Sequence, residues 1–167
     1  MIPNVLSIAG SDPSGGAGIQ ADIKAISANG AYAMAVITAL TAQNTQGVSG
    51  VHLVPPSFVS DQITAVFSDI RVDAIKVGMT ANASIALAVV DALRCHLDVP
   101  IILDPVMIAK GGAPLLAEDA IATVRDALLP LATILSAIVM LLSILLALLV
   151  IEPVIAASAF VGFGAIY

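Results

Sequence analysis

The sequence is poor in residue types that several classes of protein need. Its 167 residues include one cysteine, no tryptophan, two tyrosines and four phenylalanines, and six lysines and arginines against twelve aspartates and glutamates. The single cysteine, Cys95, excludes a disulfide framework within the chain, and its place in a predicted helix favours a core position. The acidic balance and the few aromatic rings argue against nucleic-acid binding. Because the N-terminus carries no basic, apolar leader, we expect a cytoplasmic protein.

Charge is distributed unevenly along the chain. All six basic residues lie at or before Arg125, and after Asp126 the only charged residue is Glu152. Residues 131–151 contain no charge, proline or glycine, and this length suffices to cross a bilayer as a helix. Neither basic residues nor an aromatic belt flank the run, so a membrane span is disfavoured but stays open.

These patterns divide the chain at residue 130. Residues 1–130 are expected to form an α/β domain, and residues 131–167 an apolar segment. Three interpretations of that segment stay open. It is a membrane-binding or partner-binding tail, or it is buried core from the truncated remainder of the same domain, or its residue identities are misassigned.

Apolar runs alternate with helical periodicity through the first 130 residues. The runs predict strands at residues 5–9, 32–42, 72–78 and 99–103, and the periodic stretches predict helices at 19–29, 57–67, 82–96 and 118–129. Ser57 is the expected cap of the second helix, and residues 43–50 are expected to form a polar loop. The alternation is typical of βαβ units, so we expect a mostly parallel sheet with helices on both faces.

The segment after the first strand is rich in glycine, serine and aspartate. Residues 10–18 read Gly-Ser-Asp-Pro-Ser-Gly-Gly-Ala-Gly, and such glycines let backbone N–H groups approach a ligand at a helix start. Residues 16–21 also fit the G-x-G-x-x-A dinucleotide pattern, so a nucleotide-cofactor oxidoreductase is a weaker alternative. That pattern needs an acidic residue after the second strand, where Gln43 and Asn44 stand instead. No Walker loop occurs.

Polar side chains stand where ligands bind in such sheets, outside the carboxyl ends of the strands. Asp22, one turn into the first helix, suits a hydrogen bond to a hydroxyl group or proton transfer from it. Gln43 offers a donor and an acceptor to a planar heterocycle. Asp104 suits a magnesium ion or its bound water, and Lys110 suits a phosphate. The alternatives are a solvated side chain for Asp22 and Lys110, and a loop-capping amide for Gln43. For Asp104 the alternative is a turn residue in an Asp-Pro pair.

Four segments together resemble the hydroxymethylpyrimidine/phosphomethylpyrimidine kinases of thiamine biosynthesis. They are SIAGSDPSGGAGIQAD at 7–22, VITALTAQNT at 36–45, KVGM at 76–79 and LDPVMIAK at 103–110, in the family's order and spacing. The resemblance covers residues 4–133 and implies a ribokinase-like three-layer α/β/α fold, which we expect to be truncated here. It also implies ATP and Mg²⁺ as cofactors, and phosphorylation of a hydroxymethyl aminopyrimidine or its monophosphate. Some activity on vitamin B6 and a homodimer are further implications.

The resemblance also assigns roles to single residues. Gln43 would hydrogen-bond the pyrimidine edge, and Asp22 would lie near the reacting hydroxyl. Asp104 and Lys110 would lie on the phosphate side, with Asp104 acting on Mg²⁺ indirectly. The substrate-binding residues that it implies are Gln43, Asp22, Gly10, Thr41, Met79 and Val106.

The sequence departs from the family pattern after about residue 133. The family continues with a second half that supplies most of the ATP pocket. That half includes a Gly-Thr-Gly-Cys or Gly-Thr-Gly-Asp loop, whose amides stabilise the transferring phosphoryl group and whose last residue is the base. Neither loop occurs in this sequence, so no catalytic base is assigned, and weak binding with little turnover is expected. The alternative is an inactive kinase-like fragment that binds a partner or a membrane through its apolar tail.

Overall fold

Strands and helices alternate in the computed structural model of the chain, which describes residues 1–107, 116–132 and 134–135. Within them the bounds of the elements are, in chain order, β1 Asn4–Ser11, α1 Gly18–Ala28, β2 Tyr32–Asn44, β3 Gly47–Leu53, α2 Pro56–Asp69, β4 Ala74–Val77, α3 Ala83–Leu93, β5 Ile101–Leu103, α4 Glu118–Thr123 and β6 Ile134–Leu135. The predicted alternation is confirmed, and each predicted element is present with bounds shifted by a few residues. These residues belong to one unit, Met1–Leu135.

The sheet of the described residues has the order β3-β2-β1-β4-β5-β6. β1 pairs in parallel with both β2 and β4, and the pairs β4–β5 and β5–β6 are parallel as well. Only β3 runs antiparallel, against β2, among these strands. Strands β2 and β3 therefore lie on one side of β1, and β4, β5 and β6 lie on the other. The carboxyl end of β1 is a topological switch point, which is where ligands bind in such folds.

Helices cover both faces of the sheet. The larger core packs α2 and α3, with the segment around α4, against one face, where Leu6 and Ile8 of β1 are fully buried. Residues alternate between the two faces along a strand, so Ser7 points to the opposite face, where its hydroxyl contacts Asp22 of α1. Helix, sheet and helix form the three layers that the sequence predicts.

The predicted polar loop at residues 43–50 is wrong. β2 continues to Asn44 and turns directly into β3, which forms an antiparallel hairpin with it. The side chain of Asn44 accepts hydrogen bonds from the backbone N–H groups of Gln46 and Gly47 at 2.9 and 3.1 Å. An asparagine that bonds its own turn in this way is typical of a tight connection between strands, and most of β3 is exposed.

Several helix ends also differ from the sequence prediction. α2 begins at Pro56, because the fixed φ of proline suits a first helical position, and Ser57 is not its cap. α3 begins at Ala83, one residue later than predicted, and Asn82 is its cap. The Asn82 side chain accepts a hydrogen bond from the Ile85 N–H at 2.8 Å. The helix ends at Leu93 in a short 3₁₀ turn, where Cys95 is exposed rather than in the core. α4 continues as a π-helical turn and then a 3₁₀ turn.

The apolar segment lies almost wholly outside the described residues. Of residues 131–167, the structure describes 131–132 and 134–135 only, so the interpretations of the segment stay predictions. In the part of the chain that is described, no helix is long and apolar enough to cross a membrane.

Candidate active site

A cavity of about 460 Å³ opens at the carboxyl ends of β1 and β4. Its wall contains residues at or just after the carboxyl ends of β1, β2, β4 and β5. Helix α1 covers one side of the cavity. The lining residues are Ala9, Gly10, Ser11, Asp12, Ser14, Gly16, Ala17, Gly18, Ala21, Asp22, Thr41, Gln43, Asn44, Thr45, Lys76, Met79, Asp104 and Val106.

A lysine between two carboxylates forms one wall of the cavity. Nζ of Lys76, on β4, lies 3.0 Å from Oδ2 of Asp22 on α1 and 3.6 Å from Oδ2 of Asp104 after β5. The buried hydroxyl of Ser7 donates to Oδ2 of Asp22 at 2.6 Å. Hydrogen bonds to a carboxylate are short and strong, so Asp22 is held in a fixed orientation with acceptor oxygens at the cavity.

Gln43 and Thr41 lie together on the β2 side of the cavity. The Thr41 hydroxyl donates to the Ser11 carbonyl at 2.8 Å, and Oε1 of Gln43 lies 3.2 Å from the same hydroxyl oxygen. The register of β2 against β3 shifts between Ala42 and Gln43. A bulge of this kind re-aims a side chain, and here Gln43 reaches the cavity as well as the hairpin.

The apolar wall is formed by Met79 with Val106 packed against the same small cluster. Met79 is fixed from behind, because the buried Thr38 hydroxyl donates to its carbonyl at 2.7 Å. A Cβ at Gly10 would overlap the ε-methyl of Met79. An alanine at this position would therefore have to displace that methyl, and glycine lets the strand and the methionine lie in close contact.

The loop between β1 and α1 folds around Asp12, a residue that the sequence analysis did not single out. Its carboxylate accepts hydrogen bonds from the N–H groups of Ser14, Gly16 and Ala17 at 2.8, 3.1 and 2.8 Å, and from the Ser14 hydroxyl at 2.7 Å. Burial alone would raise the pKa of Asp12, but these donors together lower that pKa below its ordinary value of 3.8. Asp12 is therefore a carboxylate at neutral pH.

This arrangement corrects one expectation about the glycine-rich loop. Its glycines do bring backbone N–H groups together, but those of Ser14, Gly16 and Ala17 point at the internal Asp12 carboxylate. What the loop presents to the cavity is a closely packed wall. Its last glycine, Gly18, has φ +57° and lies against the backbone of Gly10.

The structure brings together seven of the eight residues that the sequence analysis named. Around one cavity lie Gly10, Asp22, Thr41, Gln43, Met79, Asp104 and Val106, whereas Lys110 lies outside the described residues. Ser7, Asp12 and Lys76 were missed. All three stand in family segments. Asp12 also precedes a proline and three glycines, which is a turn signal, whereas Ser7, inside an apolar strand, carries no further signal.

The carboxylates near the cavity decide how a metal ion fits. In the described ranges, no group of three or more histidine, cysteine, aspartate or glutamate side chains has the spacing to hold a metal. Mg²⁺ commonly binds through one or two carboxylates, with water and substrate phosphates completing its shell. Lys76 lies near both carboxylates, but the side chain of Asp104 is 45% exposed and that of Asp22 only 19%, so Asp104 fits that arrangement better.

Comparison with known proteins identifies the family. The sequence profile described as phosphomethylpyrimidine kinase matches residues 12–158. The chain belongs to the phosphomethylpyrimidine kinase family. The hydroxymethylpyrimidine/phosphomethylpyrimidine kinase of Escherichia coli is 54% identical to it over 127 residues, which are 76% of this chain and 48% of that protein. The chain thus spans about half the length of this relative of the phosphomethylpyrimidine kinase family.

Solved structures of the family agree with the fold. The phosphomethylpyrimidine kinase of Clostridium difficile 630 superimposes with a TM-score of 0.74 at 47% identity, covering 80% of this chain and 58% of that one. The pyridoxal kinase of Staphylococcus aureus, in a complex with pyridoxal, gives a TM-score of 0.71 at 32% identity, covering 81% and 48%. The architecture is therefore the ribokinase-like α/β fold of these vitamin kinases, and the family match favours a kinase over a dinucleotide-dependent oxidoreductase.

Proposed function

We propose that the cavity binds a hydroxymethyl aminopyrimidine, or its monophosphate, and that the chain takes part in its ATP-dependent phosphorylation. The observation that carries this proposal is the placement of Gln43 and of the Asp22–Lys76 ion pair around one cavity. Gln43 is suited to the pyrimidine ring, and the Asp22–Lys76 ion pair is suited to the hydroxymethyl group. Membership of the phosphomethylpyrimidine kinase family supports it.

The chemistry of the walls matches the two ends of such a substrate. An aminopyrimidine presents an amino donor beside a ring-nitrogen acceptor, and a primary amide such as Gln43 offers the complementary acceptor and donor. Met79 and Val106 supply the apolar surface on which the ring packs. The Asp22 carboxylate accepts the hydrogen bond of the hydroxymethyl group and orients its oxygen.

The proposed reaction joins the alcohol oxygen to the γ-phosphorus of ATP. The bond from that phosphorus to the β–γ bridging oxygen breaks, ADP leaves, and the hydroxyl proton passes to a base that we do not assign. Such transfers depend on positioning and on stabilisation of charge. Among the described residues, the Lys76 ammonium lies beside the carboxylate proposed to bind the alcohol. Asp104 would hold Mg²⁺ through water, and the ion would neutralise phosphate charge.

An assay of phosphoryl transfer tests the proposed activity. The full chain is incubated with ATP, Mg²⁺ and either the aminopyrimidine alcohol or its monophosphate, and the product is detected by the mass of one added phosphoryl group. We expect product from the alcohol or from its monophosphate, and a slower rate for Gln43→Ala than for Gln46→Ala, a matched glutamine at the exposed turn of the same hairpin. No product from either substrate would contradict the proposal.

Pyridoxal is a second candidate substrate. A likeness to the Staphylococcus aureus pyridoxal kinase in its pyridoxal complex favours including it, and a structure of that kinase with ADP supports ATP as the donor. The same assay with pyridoxal distinguishes a strict pyrimidine kinase from one of broader specificity. The cytoplasmic location, the homodimer and the inactive, tail-binding alternative stay predictions of the sequence.

A further inference from the structure

The loop that forms one wall of the cavity is organised around a buried negative charge. Asp12 is 3% exposed, and its two carboxylate oxygens accept from three backbone N–H groups and one hydroxyl between residues 14 and 17. Successive N–H groups that converge in this way form an anion-binding nest. In glycine-rich phosphate loops a ligand fills such a nest; here a side chain of the same loop fills it.

The rest of Asp12 is tied to the helix that follows. Its backbone N–H donates to Oε1 of Gln20 at 2.8 Å, and Nε2 of the same glutamine donates to the Ser11 hydroxyl at 2.8 Å. Lys24 of α1 donates to the Gly15 carbonyl from the outer side. The loop is thus fixed to α1 at several points, and the carboxylate is the group on which its inner bonds converge.

We propose that Asp12 is a positioning residue for the pyrimidine site, whose carboxylate holds residues 12–17 in the shape that the ligand requires. The proposal rests on the proposed function. Ser14, Gly16 and Ala17 give bonds to Asp12 and also line the cavity. Removing the carboxylate leaves their N–H groups without the acceptor, and the loop must then be ordered when the ligand binds. That ordering costs conformational entropy, so affinity falls even though Asp12 need not touch the ligand.

The test compares three forms of the full chain: wild type, Asp12→Ala, and Asp61→Asn as an exposed aspartate control on α2. Calorimetry measures the dissociation constant of the hydroxymethyl aminopyrimidine, and hydrogen exchange measures protection of residues 12–17 without ligand. We expect Asp12→Ala to bind at least about tenfold more weakly, equivalent to about 1.4 kcal/mol, and to lose that protection. Asp61→Asn should match wild type.

Chemical rescue separates positioning from a general loss of stability. Formate is a carboxylate small enough to enter the nest that Asp12→Ala empties. We expect sodium formate to restore much of the lost affinity and protection, whereas sodium chloride at equal ionic strength should not. Rescue supports the inference; a loss of affinity that formate leaves unchanged, or an Asp12→Ala affinity equal to wild type, overturns it. Failure of the wild type to bind the pyrimidine refutes the proposed function, and this inference with it.

Discussion

Replacing Gly18 by alanine should destabilise the protein more than an equally left-handed glycine elsewhere. Gly18 has φ +57°, and a Cβ there would overlap the carbonyl oxygen of Gly10 while lying 3.1 Å from its carbonyl carbon. Gly30, after α1, has φ +79° with nothing within 4 Å of its Cβ position. The two positions share the backbone strain, but only Gly18 adds a collision with backbone that holds β1 and α1 together.

The expected magnitudes follow from these two contributions. A left-handed conformation costs an alanine about 1–2 kcal/mol, so Gly30→Ala should lower the free energy of unfolding by about that amount. Forcing extra atoms into packed structure costs a further ~1–3 kcal/mol, so Gly18→Ala should lose about 2–5 kcal/mol. Gly47→Ala, whose Cβ position is open and whose φ is not left-handed, should change stability by less than about 1 kcal/mol.

Urea unfolding followed by circular dichroism measures all three variants in one buffer. Ligand affinity provides a second readout, because Gly18 lines the cavity whereas Gly30 lies at the opposite end of α1. Equal destabilisation by Gly18→Ala and Gly30→Ala would refute the claim that the loop and β1 are in enforced contact.

Three further predictions concern the same region. Ser7→Ala removes a 2.6 Å bond to Asp22 and should lower the free energy of unfolding by about 1.5–3 kcal/mol, measured in urea. Because the folded pKa of Asp12 lies below 3.8, its stabilising effect is present above that pH and is lost as pH falls through the folded pKa. In Asp12→Asn, the free energy of unfolding should therefore fall less steeply than in wild type as the pH is lowered below 3.8. Gly10→Ala should displace the Met79 methyl into the cavity and weaken pyrimidine binding more than it lowers stability.

Two of these predictions have a control variant in the same protein. Ser68→Ala removes an exposed serine bond within α2 and should leave stability nearly unchanged; a cost equal to that of Ser7→Ala would contradict the role of the buried bond. Gly50→Ala meets only ordinary contact with the Ala42 Cβ at 3.7 Å and should leave affinity intact. A pH dependence of stability that Asp12→Asn does not alter would show that other groups set it.

The order of strands and helices was predictable because apolar runs and helical periodicity are local properties of the sequence. The hairpin at residues 44–47 was not, because β3 is an exposed edge strand with few apolar contacts and its polar turn reads as a loop. The start of α2 was misplaced for a similar reason, because Pro56 and Ser57 are neighbouring start signals and only the packed structure decides between them.

The candidate site was predictable in its residues but not in its connections. Family segments contain Gln43 and Asp104 at strand ends and Asp22 in the first helix, and the cavity brings the three together. No sequence pattern shows that Lys76 bridges two carboxylates or that Ser7 reaches across from the strand interior, since both contacts depend on the register of β1 and β4. The inward turn of the loop towards Asp12 likewise depends on three-dimensional packing.

A calorimetric titration of the full chain with the hydroxymethyl aminopyrimidine tests the central claim most directly, because binding is measured without turnover. We predict saturable binding at one site per chain, weakened about tenfold or more in Gln43→Ala, as expected for loss of a buried polar contact, and unchanged in Gln46→Ala. Absence of binding, or equal affinity in Gln43→Ala and wild type, would contradict the assignment of this cavity as the pyrimidine site.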